Sequence, residues 1–361
     1  MDRTDDLFFN MSHLNISEAS KKSCDEKITF GECTSMLNKM SLNKSPGNDG
    51  LSVEFYRIFW PDIGNLVLDS FNASFEKGEL STTQKQGVIT VIKKEDKNPL
   101  YIRNYRPITL LNVDYKLLSK VLAEKIKNVL EEVIHVDQVG FLPGRNIGEA
   151  VRIIDDVIFF TQVYKVQGFL VTVDFEKAFD TVSHSYMNFL LKKYGFGPYF
   201  CRWIEVLYTN VVSCVMNGGF STGYFEIGRG VRQGDPLSPY LFLLIIETLA
   251  VVIRNEQKLK GILIGNIQTK IVMYADDCSI FLKDTEDMKI LEKILDSFSQ
   301  VSGLKINRDK TQIMKLGSSG HSNENLTGIT LGKMVSLVKV LGIYFSLDIN
   351  IKEEMNYKEI L

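Results

Sequence analysis

IVMYADDCSIFL, residues 271–282, consists of two apolar, strand-like halves around an acidic pair, Asp276-Asp277. A strand–turn–strand hairpin places both halves in a core and the pair at the tip. An Asp-Asp pair in a turn is, by itself, ordinarily just a turn. Here the flanks are too apolar for a surface loop, and two adjacent carboxylates are costly to desolvate without a counter-charge. A divalent cation removes that objection. Mg²⁺ takes oxygen ligands and keeps several waters, so a few carboxylates suffice.

A second acid occupies a matching position upstream. FLVTV (169–173) is a short β-branched run that ends in Asp174, which reads as a buried strand with an acid at its C-terminal end. The two segments together supply three carboxylates from neighbouring strands. Two metals about 4 Å apart on such a set would clamp the attacking and leaving oxygens of an in-line phosphoryl transfer. No His or Cys cluster competes for that role. The five cysteines, at 24, 33, 201, 214 and 278, form no C-x-x-C pair, which argues against a zinc site or disulfide framework and for a reducing compartment.

Outward from these acids, SPYLFLLIIETLAVVI (238–253) reads as a long buried helix. Its most apolar run, 240–253, falls short of a membrane span and is interrupted by Glu247. Residues 211–216 and 224–228 predict a hairpin closed by NGGFST. SHSYMNFLLKKYGF reads as a helix ended at Gly195, residues 286–301 as a helix, and 339–345 as a last strand. Residues 112–134 have helical spacing, with Asn112 or Asp114 placed to cap them. Strands and helices mix without regular β-α-β alternation, so the fold class is α+β, with helices packed on an antiparallel sheet.

The chain has 361 residues and a net charge of −2, which gives no global signature of a nucleic-acid binder. The charge is uneven, however. Residues 1–84 carry 8 Lys and Arg against 13 Asp and Glu, whereas residues 85–127 carry 10 against 4. A compact basic segment is what phosphates require, and equally what a solvated helix face shows. Residues 1–35 are polar and weakly patterned and read as a tether. The start lacks an apolar leader, so no signal peptide is expected.

VDFEKAFD (173–180), RQGDPLSP (232–239) and YADD (274–277) resemble the first three palm motifs of reverse transcriptases. NKSPGNDGLSVEFY (43–56), RNYRPITLLN (103–112), HVDQVGFLPGR (135–145) and LKINRDKT (304–311) are similar to flanking blocks of the LINE-type (non-LTR) retrotransposon class. All seven stand in the expected order, and the resemblance covers residues 28–345. It implies a right-hand polymerase of fingers and palm, with an N-terminal extension and fingers over 36–168 and the palm over 169–345. Residues 346–361 would be the truncated start of a thumb that is otherwise missing. An upstream endonuclease, usual in this class, is not expected within these residues.

The resemblance also implies roles. Asp174, Asp276 and Asp277 fall on the metal-binding catalytic acids, with the backbone carbonyl of Phe175 completing one site for two Mg²⁺ ions, Mn²⁺ being the alternative. Phe179 falls on the aromatic beneath the incoming sugar, where a ring leaves no room for a ribose 2′-OH; a lone Phe there is otherwise simply core. Gln233 and Gly234 fall on the motif along the template and nascent base pair. Lys94 and Arg106 resemble residues that hold the triphosphate, and Lys310 resembles a general acid for the departing pyrophosphate. Leu341, Gly342 and Ile343 resemble the primer-grip strand, and Gly140, Phe141 and Arg145 a template-side loop. The implied partners are an RNA template, a DNA primer and dNTPs, inside the cell and away from any membrane. The alternatives are a catalytically silent nucleic-acid-binding remnant and an RNA-dependent RNA polymerase. Phe179 and the flanking blocks argue against the latter.

Overall fold

The computed structural model describes residues 4–9, 14–95, 98–317 and 330–358. The fold is mixed α/β and divides into two compact units. One comprises Met1–Met11, Ile134–Ala178 and Leu243–Leu361, and the other Ser12–Val133 and Phe179–Phe242.

The first unit is built on a five-stranded sheet in the order Lys333–Val335, Gln312–Leu316, Gly168–Val173, Asp277–Leu282, Ile271–Tyr274. Gly168–Val173 is the central strand and runs antiparallel to both neighbours. Its composition explains its place: only Thr172 among its six residues is not fully buried. The helix Ile147–Val163 lays Ala150, Ile154, Val157 and Ile158 into one core with Leu170, Val272, Phe281 and Met314. The helix Thr285–Ser302 starts where Asp284 accepts from the backbone N–H groups of Glu286 and Asp287, and ends at Gly303. It buries Met288, Leu291, Ile294, Leu295 and Phe298, a helical period.

The second unit has a sheet in the order Tyr105–Leu111, Gln86–Lys93, Val212–Asn217, Phe220–Ser221, with Phe225–Glu226 also paired to Val212–Asn217. The basic segment therefore begins as two antiparallel strands. This unit also holds the helix Val53–Lys77, capped by Ser52, and the helix Phe30–Asn38, opened by a Thr29–Glu32 capping box.

Several sequence expectations change. Residues 14–35 are not a bare tether: they hold the helix Glu18–Cys24 and the start of the next, and bury Ile16, Cys24, Ile28 and Cys33. These four side chains dock the segment, while its other positions are half-buried or exposed. The helix expected over 112–134 stops at Lys127 and resumes as Leu130–Val133. Asn112 stands at its N-cap position without a side-chain cap bond; its Oδ1 accepts from Asp49 and its Nδ2 donates to Thr83. The hairpin after Val212–Asn217 turns at Gly218-Gly219, and its return arm is split into two short strands.

The single strand expected over 339–345 is a hairpin, Leu337–Val340 with Ile343–Ser346. Its two-residue turn, Leu341-Gly342, has φ of 51° and 89°, the sign pattern that suits strand twist. The apolar helix Ser238–Asn255 reaches 18 residues, long enough by length and composition to cross a membrane, but 78% of it is buried within the protein. That is the behaviour of a core helix.

Candidate active site

Asp174, Asp276 and Asp277 are brought to one end of the five-stranded sheet. Cys278 lies opposite Val173, so the antiparallel register carries Asp277 to Asp174 one step further on. Asp276 sits in the two-residue turn between Tyr274 and Asp277. The preceding residue, Ala275, has φ +53°, a conformation uncommon for a residue with a side chain. The hairpin thus places both acids at its tip, between two apolar strands, as the reading of IVMYADDCSIFL expects.

The electrostatics are those of uncompensated acids. Desolvation, and then the charges of Asp276 and Asp174, push the Asp277 carboxyl up to about 6, although its side chain still meets solvent. The Asp276 carboxyl is also raised, chiefly by desolvation and further by Asp174. Asp174 Oδ2 is buried and accepts no hydrogen bond; its charged neighbour is Lys310, whose Nζ stands 3.6 Å away. Asp174, Asp277 and Lys310 line a recess of about 100 Å³, together with Ser279, Gln312 and Lys339. Among the described residues no three acidic, His or Cys side chains close into a metal-ligand set as they stand. The acids share one field and one end of the sheet without forming a finished cage. Their orphaned oxygen and mutual repulsion fit a cation that keeps much of its own water.

The segment after Asp174 is fixed by the LKINRDKT block. Glu176 N donates to Lys305 O (2.8 Å), Asn307 N to Asp174 O (2.7 Å), and Asp174 N to Thr311 Oγ1 (3.2 Å). These two backbone bonds flank the Phe175–Ile306 bridge and leave the Phe175 carbonyl outside it. Lys310 N in turn donates to Asn307 O and approaches its Oδ1. One short loop therefore sets the backbone of Asp174 and carries Lys310.

The remaining predicted residues fall into separate groups. Arg145, in the same unit as the acids, donates to the carbonyls of Ile134, His135 and Gln138. Its guanidinium staples its own loop. Leu341 and Gly342 form the turn of the last hairpin. The second unit holds Lys94, Arg106, Phe179, Gln233 and Gly234. Lys94 N donates to Asn104 O, and Arg106, exposed, pairs across the strands with Ile92. Gln233 O accepts from Thr109 N. Gly234 has φ +107°, and a Cβ there would stand 2.9 Å from Thr109 O, so this glycine answers to its own sheet. Phe179 stacks on Phe242 at 4.7 Å between centroids and 10° between planes, with its ring half-buried.

Sequence reasoning missed two contributors. Lys339 lines the recess from the strand Leu337–Val340 and carries its Nζ 4.6 Å from the Tyr344 ring centroid. Gln138, fully buried, bonds the turn that bears the acids. Neither lies in a periodic pattern that could have announced it.

Residues 92–345 match the family described as Reverse transcriptase (RNA-dependent DNA polymerase). The chain belongs to this family. Among relatives of this reverse-transcriptase chain, the Transposon TX1 uncharacterized 149 kDa protein of Xenopus laevis is 32% identical over 335 residues, 92% of this chain and 25% of that protein. The Retrovirus-related Pol polyprotein from type-2 retrotransposable element R2DM of Drosophila melanogaster is 29% identical, over 80% of this chain and 26% of its own length. The RNA-directed DNA polymerase from mobile element jockey of Drosophila funebris is 25% identical, over 76% and 30%. This reverse-transcriptase chain thus spans about a quarter to a third of the length of these relatives. Its relatives are proteins of non-LTR retrotransposons.

Proposed function

We propose that this chain is the RNA-directed DNA polymerase module of a non-LTR retrotransposon, with a right-hand architecture whose palm is the sheet bearing Asp174, Asp276 and Asp277. The observation that carries this reading is the convergence of those three carboxylates at one sheet end, beside Lys310, in a chain of the reverse transcriptase family. The primer 3′-oxygen bonds to the α-phosphorus of a dNTP, the α–β bridge breaks, and pyrophosphate leaves. Two Mg²⁺ ions, or Mn²⁺ in their place, held by the three acids and the Phe175 carbonyl, would supply charge neutralisation and a more acidic 3′-hydroxyl.

The protein's own part is positioning and proton supply. The Asn307 and Thr311 contacts hold Asp174 at the sheet end, and Lys310 gives a proton to the leaving pyrophosphate. Lys94 and Arg106 grip the triphosphate, Arg106 as a fork and Lys94 as a point charge. Gln233 and Gly234 follow the template and nascent pair, Phe179 excludes a 2′-hydroxyl, and the Leu341-Gly342 turn steadies the primer. The partners are an RNA template, a DNA primer and dNTPs. Five free, buried cysteines agree with work in a reducing, intracellular compartment.

The test is primer extension on an RNA template in Mg²⁺. Asp276→Asn should lower extension at least about a hundredfold, as loss of a group that meets developing charge does. The metal-free variant should unfold at or slightly above the parent's temperature, since it loses a carboxyl that burial and Asp174 disfavour. Equal extension by both would reject the assignment.

A further inference from the structure

The turn that bears the acids carries a left-handed alanine, and something outside the hairpin must favour that conformation. Gln138 is fully buried, and its carboxamide bonds both the N–H and the C=O of Ala275, the groups of two successive peptides. Ala275 N donates to Gln138 Oε1 at 2.8 Å, and Gln138 Nε2 donates to Ala275 O at 3.3 Å. The same Oε1 accepts from Gly140 N at 2.9 Å, which fixes which way the carboxamide faces. Gly140 has no room for a side chain: a Cβ would stand 2.5 Å from Ala275 N. Backbone therefore lies directly on the turn, and the amide fills the remaining polar valence.

The loop that presents Gln138 is itself held on three sides. Val139 N donates to Met273 O and Met273 N to Asp137 O, so the loop adds a short parallel rung to the Ile271–Tyr274 strand. Arg254 grips Asp137 through Nε and Nη2, at 2.9 and 3.2 Å. Arg145 donates to the carbonyl of Gln138 itself. A side chain mounted this firmly does not adapt to the turn; the turn adapts to it.

We propose that Gln138 is a positioning residue that sets the Ala275 peptide, and through it the direction of Asp276 and Asp277, before any cation arrives. This rests on the metal-binding reading of those acids. Gln138 touches neither substrate nor reacting atoms. Its effect is preorganisation: acids that must first find their geometry bind a cation more weakly by the population of the wrong turn.

The test uses the full chain and Gln138→Met, which keeps length and volume and loses all three bonds. Hydrogen exchange at the Ala275 amide in metal-free protein should accelerate about tenfold or more, the equivalent of one lost hydrogen bond. The Mn²⁺ concentration that half-saturates the metal-free protein, and the Mg²⁺ that half-activates extension, should both rise about tenfold, with KM for dNTP unchanged. Gln138→Asn keeps a neutral carboxamide but is one methylene too short to make these bonds; it should show the same faster Ala275 exchange and higher metal midpoint. It serves as the measured variant if Gln138→Met does not fold. Unchanged Ala275 exchange, or a metal midpoint equal to the parent's in the variant measured, overturns the role of Gln138. Failure of the parent itself to bind Mn²⁺ in an Asp276-dependent way would instead reject the active-site reading.

Discussion

Two sets of acids in the same unit are handled in opposite ways. Asp137 and the fully buried Glu247 share Arg254, which reaches Asp137 Oδ2 at 2.9 Å and Glu247 Oε1 at 2.6 Å. Asp174, Asp276 and Asp277 share no such partner. Among the described residues the ion pair at that end of the sheet is Lys310 with Asp174, at 3.6 Å, and neither Asp276 nor Asp277 joins one. Burial raises carboxyls in both sets, Glu247 to about 7 and Asp277 to about 6. The difference lies in the counter-charge. Where an acid serves the architecture, the chain supplies the cation from two helical turns away. At the hairpin tip it leaves the charge standing, as the proposed chemistry requires.

Breaking the internal pair should have the largest effect. Arg254→Met leaves the fully buried Glu247 without its cation and the half-buried Asp137 with His135 as its remaining neighbour, and should cost about 3–5 kcal/mol of stability. Urea unfolding measures it, and a loss below about 1 kcal/mol would erase the contrast between the sets.

The pH dependence of stability sharpens it next. Because the folded-state pKa of Glu247 lies above the usual value, the folded protein binds that proton more tightly than the unfolded chain. The resulting stabilisation is complete below the unfolded pKa and is lost as pH rises through about 7. Glu247→Gln should remove about 1–3 kcal/mol of this decline between pH 5 and 8, leaving the smaller decline of the same sign from Asp277. Parallel curves for parent and variant would show that Glu247 is not the titrating group.

The smallest effect has the opposite sign. Asp277→Asn relieves repulsion at a partly exposed position, so the metal-free protein should gain stability, by no more than about 1 kcal/mol, while losing extension. A destabilised Asp277→Asn would mean that the acids at the tip are structural after all.

The acids were legible because each ends or interrupts an apolar run, and burial next to charge is visible in one dimension. The central strand was legible for the same reason: FLVTV has nowhere to go but a core. Leu341-Gly342 was not, since an apolar LGIYF looks continuous and only the backbone reveals two successive positive φ values. The strand Gln86–Lys93 was hidden behind the charge of its segment, although GVITVI has strand composition. Gln138 was beyond reach, because a single buried amide has no periodicity and its partner, Ala275, lies 137 residues away in the chain.

The order of the central sheet has a consequence for synthesis of the protein. Among the described residues, Gly168–Val173 pairs with Asp277–Leu282 and Gln312–Leu316, both far downstream. At roughly 5–20 residues per second, a nascent chain would wait on the order of 5–20 s between finishing this strand and beginning its first partner. During that interval an apolar, β-branched strand has two unpaired edges and is a template for wrong pairing. The end of the sheet that gathers Asp174, Asp276 and Asp277 therefore forms only after Asp277–Leu282 and Gln312–Leu316 have been made, and until then residues 168–173 lack these partners.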